Sequence, residues 1–185
     1  MNPLTAPHPH IAMQAQWLLA VLAGLAAVWD VRFRRIPNWL CFFGLAAGIL
    51  WNGLAPEGAG WRHGLAGLAA GLGLYLPLYV LRARGAGDVK LLAAAGAVAG
   101  PMDCLRLFVL ASLAGGVLGL LLAGAHGRLR RTMFNVGWIL NELSHFRAPH
   151  RASPELDVRS SAGLRLPHAV PLAAGVALLI LMEPR

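Results

Sequence analysis

Apolar residues in this chain come in long unbroken runs, not in one-sided stripes. Six runs stand out: about Met13 to Asp30, Asn38 to Leu54, His63 to Leu81, Asp88 to Gly100, Cys104 to Ala125 and Pro167 to Met182. Asn52, Gly53 and Pro56 close the second run, and Pro77 is placed to kink the third. A helix apolar on all sides is what lipid and neighbouring helices require, so periodicity adds little here. The fourth run is too short to cross a bilayer alone at ~1.5 Å per residue. It is expected to tilt, to sit in a locally thin region, or to start within the protein and not at the headgroups. Small residues recur at close-packing intervals: Gly67 and Gly71, Gly96 and Gly100, and Gly115, Gly116 and Gly119. The pattern predicts an all-α integral membrane protein, a bundle of about six transmembrane helices forming a single domain over residues 1–185.

The segment between the fifth and sixth runs differs. Residues 126–166 read as a loop, within which Leu129, Met133, Val136, Leu140 and Leu143 fall at spacings of four and three. That spacing is one helical stripe. Arg130, Arg131, Glu142 and His145 lie opposite, predicting an amphipathic helix over about 128–147, either flat in the interface or packed as a lid. Ala148 to Arg165, with Pro149, Ser153 and Pro154, reads as flexible loop.

Composition agrees: the chain is 57% hydrophobic and 13% charged. The net charge of +8 would point to nucleic acid in a soluble protein. On a chain this apolar the basic residues read as topology signals and lipid-headgroup contacts, so no nucleic-acid partner is expected. Thirteen lysines and arginines fall in alternate loops that would share one side, against Arg62, Arg106 and Arg185 on the other. The first side is therefore expected to be cytoplasmic, with both termini outside. The N-terminus lacks the basic region and cleavage motif of a signal peptide, so the first run is expected to be retained. Cys41 and Cys104 form no CxxC pair and read as buried free thiols.

Two of the eight acidic residues lie where an acid is expensive. Asp30 ends the first run, and Asp88 opens the fourth within Arg84-Gly85-Ala86-Gly87-Asp88-Val89-Lys90. Both fall at the cytoplasmic ends of their segments. Each alone reads equally well as structural, Asp88 as a helix cap and Asp30 as an ion-pair partner of the arginines that follow it. Neither role explains why both stand at one face. Two carboxyl groups brought close can share one proton, the arrangement that activates water in aspartic proteases. Gly85 and Gly87 could let a substrate backbone approach, or let Asp88 cap its helix.

These strings resemble the two signatures of type IV prepilin peptidases, GxGD aspartic proteases of the membrane. Asp30-Val31-Arg32-Phe33-Arg34-Arg35-Ile36-Pro37-Asn38 is similar to the first, an aspartate and a short basic loop followed by Ile-Pro-Asn. Gly85-Ala86-Gly87-Asp88-Val89-Lys90 is similar to the second, GxGDxK. Leu166-Pro167-His168-Ala169-Val170-Pro171 is similar to the stretch that opens their last helix. The resemblance implies an endopeptidase of the bacterial inner membrane that cuts the leader from prepilins or pseudopilins at the cytoplasmic face. Asp30 and Asp88 carry over as the catalytic pair. Gly85, Gly87, Lys90, Pro37 and Asn38 carry over as motif residues that support the site or bind substrate, and no cofactor or metal is implied. Lys90 would either tune Asp88 or contact headgroup phosphates. Nothing in Met1 to Asp30 matches the Cys-rich domain of longer members, so the resemblance is to the short, Tad/Flp-pilus form, without methyltransferase activity. The implied partners are a prepilin substrate, lipids, and pilus or secretion assembly machinery.

Two other classes compete: a small transporter or proton channel using paired aspartates, and a non-catalytic assembly partner of a secretion machine. Plainer readings cover the remaining residues. Trp29, Trp39, Trp51 and Trp61 fit interfacial anchoring. Asp103 and Glu57 read as solvated loop acids, and Asn38 as a cap for the second helix. His63, His126 and His168 are too scattered for a metal site.

Overall fold

The structure, a computed structural model, describes residues 11–81, 84–127, 129, 133–134 and 169–182. Six helices are delimited among the described residues: α1 (Met13–Phe33), α2 (Asn38–Leu54), α3 (Trp61–Val80), α4 (Ala86–Ala99), α5 (Pro101–Ala125) and α6 (Ala169–Met182). There is no strand among the described residues. α1, α3 and α5 are each long and apolar enough to cross a membrane, while α2 and α6 are shorter apolar helices. The amphipathic helix expected over about 128–147 lies outside the described residues, except for Leu129, Met133 and Phe134, which are exposed.

The short helix α4 is the centre of the bundle. It packs against α1, α2, α3 and α5. Eleven of its fourteen residues are buried, from Asp88 and Val89 through Leu91 to Ala99. Neighbouring helices therefore enclose this short segment along most of its length. A helix so surrounded needs small side chains, and the run Ala93-Ala94-Ala95-Gly96-Ala97 supplies them.

Small residues on its neighbours complete the fit. α3 turns Gly64, Gly67 and Gly71 inward. A Cβ on Gly67 would overlap the carbonyl of Gly96, and one on Gly71 would stand 2.7 Å from the Cα of Ala93. On α2, a Cβ at Gly48 would come within 2.7 Å of the Val98 backbone nitrogen. Backbones in such contact gain packing without any hydrophobic drive, as helices in lipid must. α6 lies between α1 and α5. It meets α5 the same way, since a Cβ at Gly175 would be 2.8 Å from the Ala111 nitrogen. Gly116, by contrast, faces open space.

α1 separates its faces by exposure, not polarity. Ala15, Leu19, Leu22, Ala23, Ala26 and Asp30 are buried on one side, and Met13, Trp17, Val21, Leu25 and Val28 are exposed on the other. Both sides are apolar, so only the fold reveals which faces lipid.

Gly100 alone separates α4 from α5 and has φ of 86°. A residue with a side chain is strained there, and Pro101 then begins α5 at a position where its missing N–H is harmless. Cys41 and Cys104 are both buried and free, as expected.

Candidate functional site

The site grows from the end of α1. Asp30 lies inside the helix, which continues to Phe33. Arg34 then stops it in the left-handed conformation, φ 55° and ψ 30°, with its N–H donated to the Asp30 carbonyl at 2.8 Å. A non-glycine residue there costs roughly 1 kcal/mol. The turn throws the chain back through Ile36 and Pro37 into α2. Pro37 is the N-cap residue of α2, with φ of −69°. Asn38 is the first helical residue and not a cap, and α2 has no side-chain cap. That corrects the capping role expected for Asn38.

Its side chain serves the second signature instead. Lys90 Nζ donates to Asn38 Oδ1 at 2.9 Å, an exposed contact that ties the start of α2 to the first turns of α4. Gly87 makes a second tie: a Cβ there would stand 3.2 Å from the Ile36 Cβ. Glycine at 87 thus lets the two signatures touch. Gly85 adopts an ordinary extended conformation, φ −80° and ψ 153°, so its freedom is not used. It is the N-cap of α4, and its N–H donates to Asp88 Oδ2 at 3.3 Å. Of the two roles open to these glycines, the capping one is observed at Gly85. Just upstream, the Arg84 guanidinium lies 5.3 Å from the ring centroid of buried Tyr75, fastening the α3–α4 connection.

Asp30 and Asp88 are each 7% exposed. Asp30 Oδ2 accepts a hydrogen bond from the backbone N–H of Ala169, the first residue of α6, at 3.0 Å. Three elements therefore meet at one end of the bundle: the end of α1, the start of α4 and the start of α6. The bundle's opposite end is fixed separately. There Asn52 of α2, buried, donates through Nδ2 to the carbonyls of Ala97 at 2.9 Å and Val98 at 3.1 Å. Its Oδ1 accepts the Ala59 N–H at 3.4 Å. Contacts at both ends agree with alternating helix directions, and they place both aspartates at the same end.

Sequence reading missed three of these residues. Asn52 looked like turn punctuation, yet it satisfies carbonyls in the last turn of α4 that no helical partner can reach. Ala169 lies in the stretch that resembles the opening of the family's last helix, but its part there has no side-chain signal because its contribution is a main-chain donor. Asp103 was expected in solvent, but it is 7% exposed in the first turn of α5 and pairs with Arg106 at 2.8 Å. Among the described residues, no group of three or more His, Cys, Asp or Glu is arranged to hold a metal ion.

Two buried carboxyls of different helices, each held by a backbone N–H, thus stand at one end of an apolar bundle. No curated protein and no solved structure matches the chain. Residues 17–120 match the sequence profile of the type IV leader peptidase family, a stretch that includes both signatures and both aspartates. With more than half its length covered by that match, the chain belongs to the type IV leader peptidase family.

Proposed function

We propose that this protein is an aspartic endopeptidase of the bacterial inner membrane that removes the leader from prepilins or pseudopilins, with Asp30 and Asp88 as its catalytic pair. The observation that carries the reading is the meeting of the two signatures within the family-matched region, each contributing a buried carboxylate at the same end of the bundle. The chemistry follows from two carboxyls holding one proton. The ionised member takes a proton from water as the water oxygen attacks the scissile carbonyl carbon. The protonated member gives its proton to the carbonyl oxygen. The first then passes its proton to the departing nitrogen as the C–N bond breaks, and the second recovers one from the diol. Both carboxyls end as they began.

The position of the acids favours this reading over a channel. A proton path would use acids near the membrane midplane, whereas Asp88 lies in the first turn of α4 and Asp30 three residues before the end of α1. The excess of arginine and lysine in the loops on that side supports a cytoplasmic site. There the enzyme would meet a leader on the cytoplasmic side of an apolar stem.

The test is purified protein incubated with a synthetic substrate of basic leader and apolar stem, the products weighed by mass spectrometry. A single cut between leader and stem is expected. Intact substrate in the presence of folded protein, or ion flux through liposomes that depends on Asp30, would move the reading to an assembly partner or a channel.

A further inference from the structure

The aspartate of the first signature is held from outside both signatures. Ala169 of α6 donates its backbone N–H to Asp30 Oδ2 at 3.0 Å across 139 residues of chain. Ala169 lies beyond residue 120, where the family match ends. It is 1% exposed, so water does not compete for the bond.

We propose that the Ala169 amide is a positioning group that sets the Asp30 carboxylate for catalysis, making α6 the third component of the active site. This rests on the reading of Asp30 and Asp88 as the catalytic pair. The argument is geometric. The first N–H groups of a helix have no partner within it and are aimed along its axis. The Ala169 N–H is one of these, and Asp30 takes it. The donor is also rigidly mounted. Gly175 seats α6 against the Ala111 backbone of α5, and a Cβ on Gly115 of α5 would stand 3.4 Å from the Pro171 ring. A carboxylate on α1 has a rotatable side chain, and a main-chain donor on a fixed neighbour removes that freedom. Pre-set geometry of this kind raises turnover without changing how tightly substrate is held.

Ala169→Pro tests this directly. Proline at a first helical position keeps the helix, because its backbone angle suits that site. It deletes the N–H and sets a ring carbon against the Asp30 oxygen. A milder variant replaces Ala169 by lactic acid, which exchanges the N–H for an ester oxygen and adds no bulk. Ala169→Gly keeps the donor and serves as the control. The measurements are kcat and KM for leader cleavage per mole of folded protein, beside Asp30→Asn. The expected result is a fall in kcat of about tenfold to a hundredfold for the proline and ester variants, the range for losing one hydrogen bond to a charged group. KM should stay within about threefold of its original value, and Ala169→Gly should keep most of kcat. If the folded ester variant turns over at the original rate while Asp30→Asn is inactive, the positioning role is wrong and the catalytic pair stands. If loss of activity tracks only loss of folded protein, the bond is structural and the proposal falls. Cleavage by Asp30→Asn would overturn the catalytic pair and the positioning role together.

Discussion

Replacing Asn52 by leucine should unlock the far end of the helix that carries Asp88. The two side chains have similar reach, so the change removes polarity more than volume. In the structure Asn52 Nδ2 lies 2.9 Å from the Ala97 carbonyl, 3.1 Å from that of Val98 and 3.2 Å from that of Gly48 in its own helix. Ala97 and Val98 are in the last turn of α4, where carbonyls have no helical donor. Both residues are buried, so water does not readily replace the lost partner. Hydrogen bonds between membrane helices are worth about 0.6 kcal/mol on average and up to about 1.7. Two interhelical bonds lost together give roughly 1–3 kcal/mol, and stranded buried carbonyls push the cost toward the upper end. The assay is equilibrium unfolding in mixed micelles, with Phe42→Leu as the control because Phe42 is 66% exposed and outside this contact. The leucine variant should lose about 2–3 kcal/mol and the control under about 0.5. A loss for Asn52→Leu as small as the control's would show that Asn52 does not hold α4.

Other expectations follow from the contacts between the signatures. Gly87→Ala should depress cleavage several-fold more than Gly85→Ala, because its Cβ would press on Ile36 at 3.2 Å while that of Gly85 makes an ordinary 3.6 Å contact; equal effects would remove the reason given for glycine at 87. Lys90→Met and Asn38→Ala should each lower activity modestly, and the double variant should be little worse than the worse single one, since both break one hydrogen bond. Additive losses would mean the two residues act separately. Cysteine placed at Arg34 in a variant lacking Cys41 and Cys104 should react with impermeant thiol reagents only when the cytoplasmic face is open, and labelling of intact cells would invert the topology.

Much of the architecture is legible in the sequence because hydropathy is a local signal. The second run ends where α2 ends, and the remaining boundaries fall within a few residues of the helices. The shared end for Asp30 and Asp88 is legible too, since it follows from the parity of spans and the distribution of arginine. What escapes the sequence is which helix lies in the middle. All six runs are apolar on every side, so none shows a face, and α4 reads as merely short. Its central place depends on glycines of α2 and α3 whose value lies in a backbone that approaches from another segment. The remaining surprises have the same origin. Asn38 looks like a cap because capping is local, but its partner is Lys90. Asn52 looks like a turn residue, but its partners are 45 and 46 positions away. Asp103 looks solvated because its burial is decided by neighbouring helices. Ala169 could not be found from side-chain chemistry at all, because it acts through its main chain.

Whether Asp30 and Asp88 together perform the hydrolysis is tested most directly by single-turnover cleavage of a prepilin-like substrate by Asp30→Asn and Asp88→Asn, each shown by unfolding to be inserted and folded. Asparagine keeps the shape and can still accept the N–H bonds from Ala169 and Gly85, but it cannot take up and return a proton. Both variants should bind substrate yet release no detectable leader. Near-normal cleavage by either folded variant would contradict the two-aspartate mechanism.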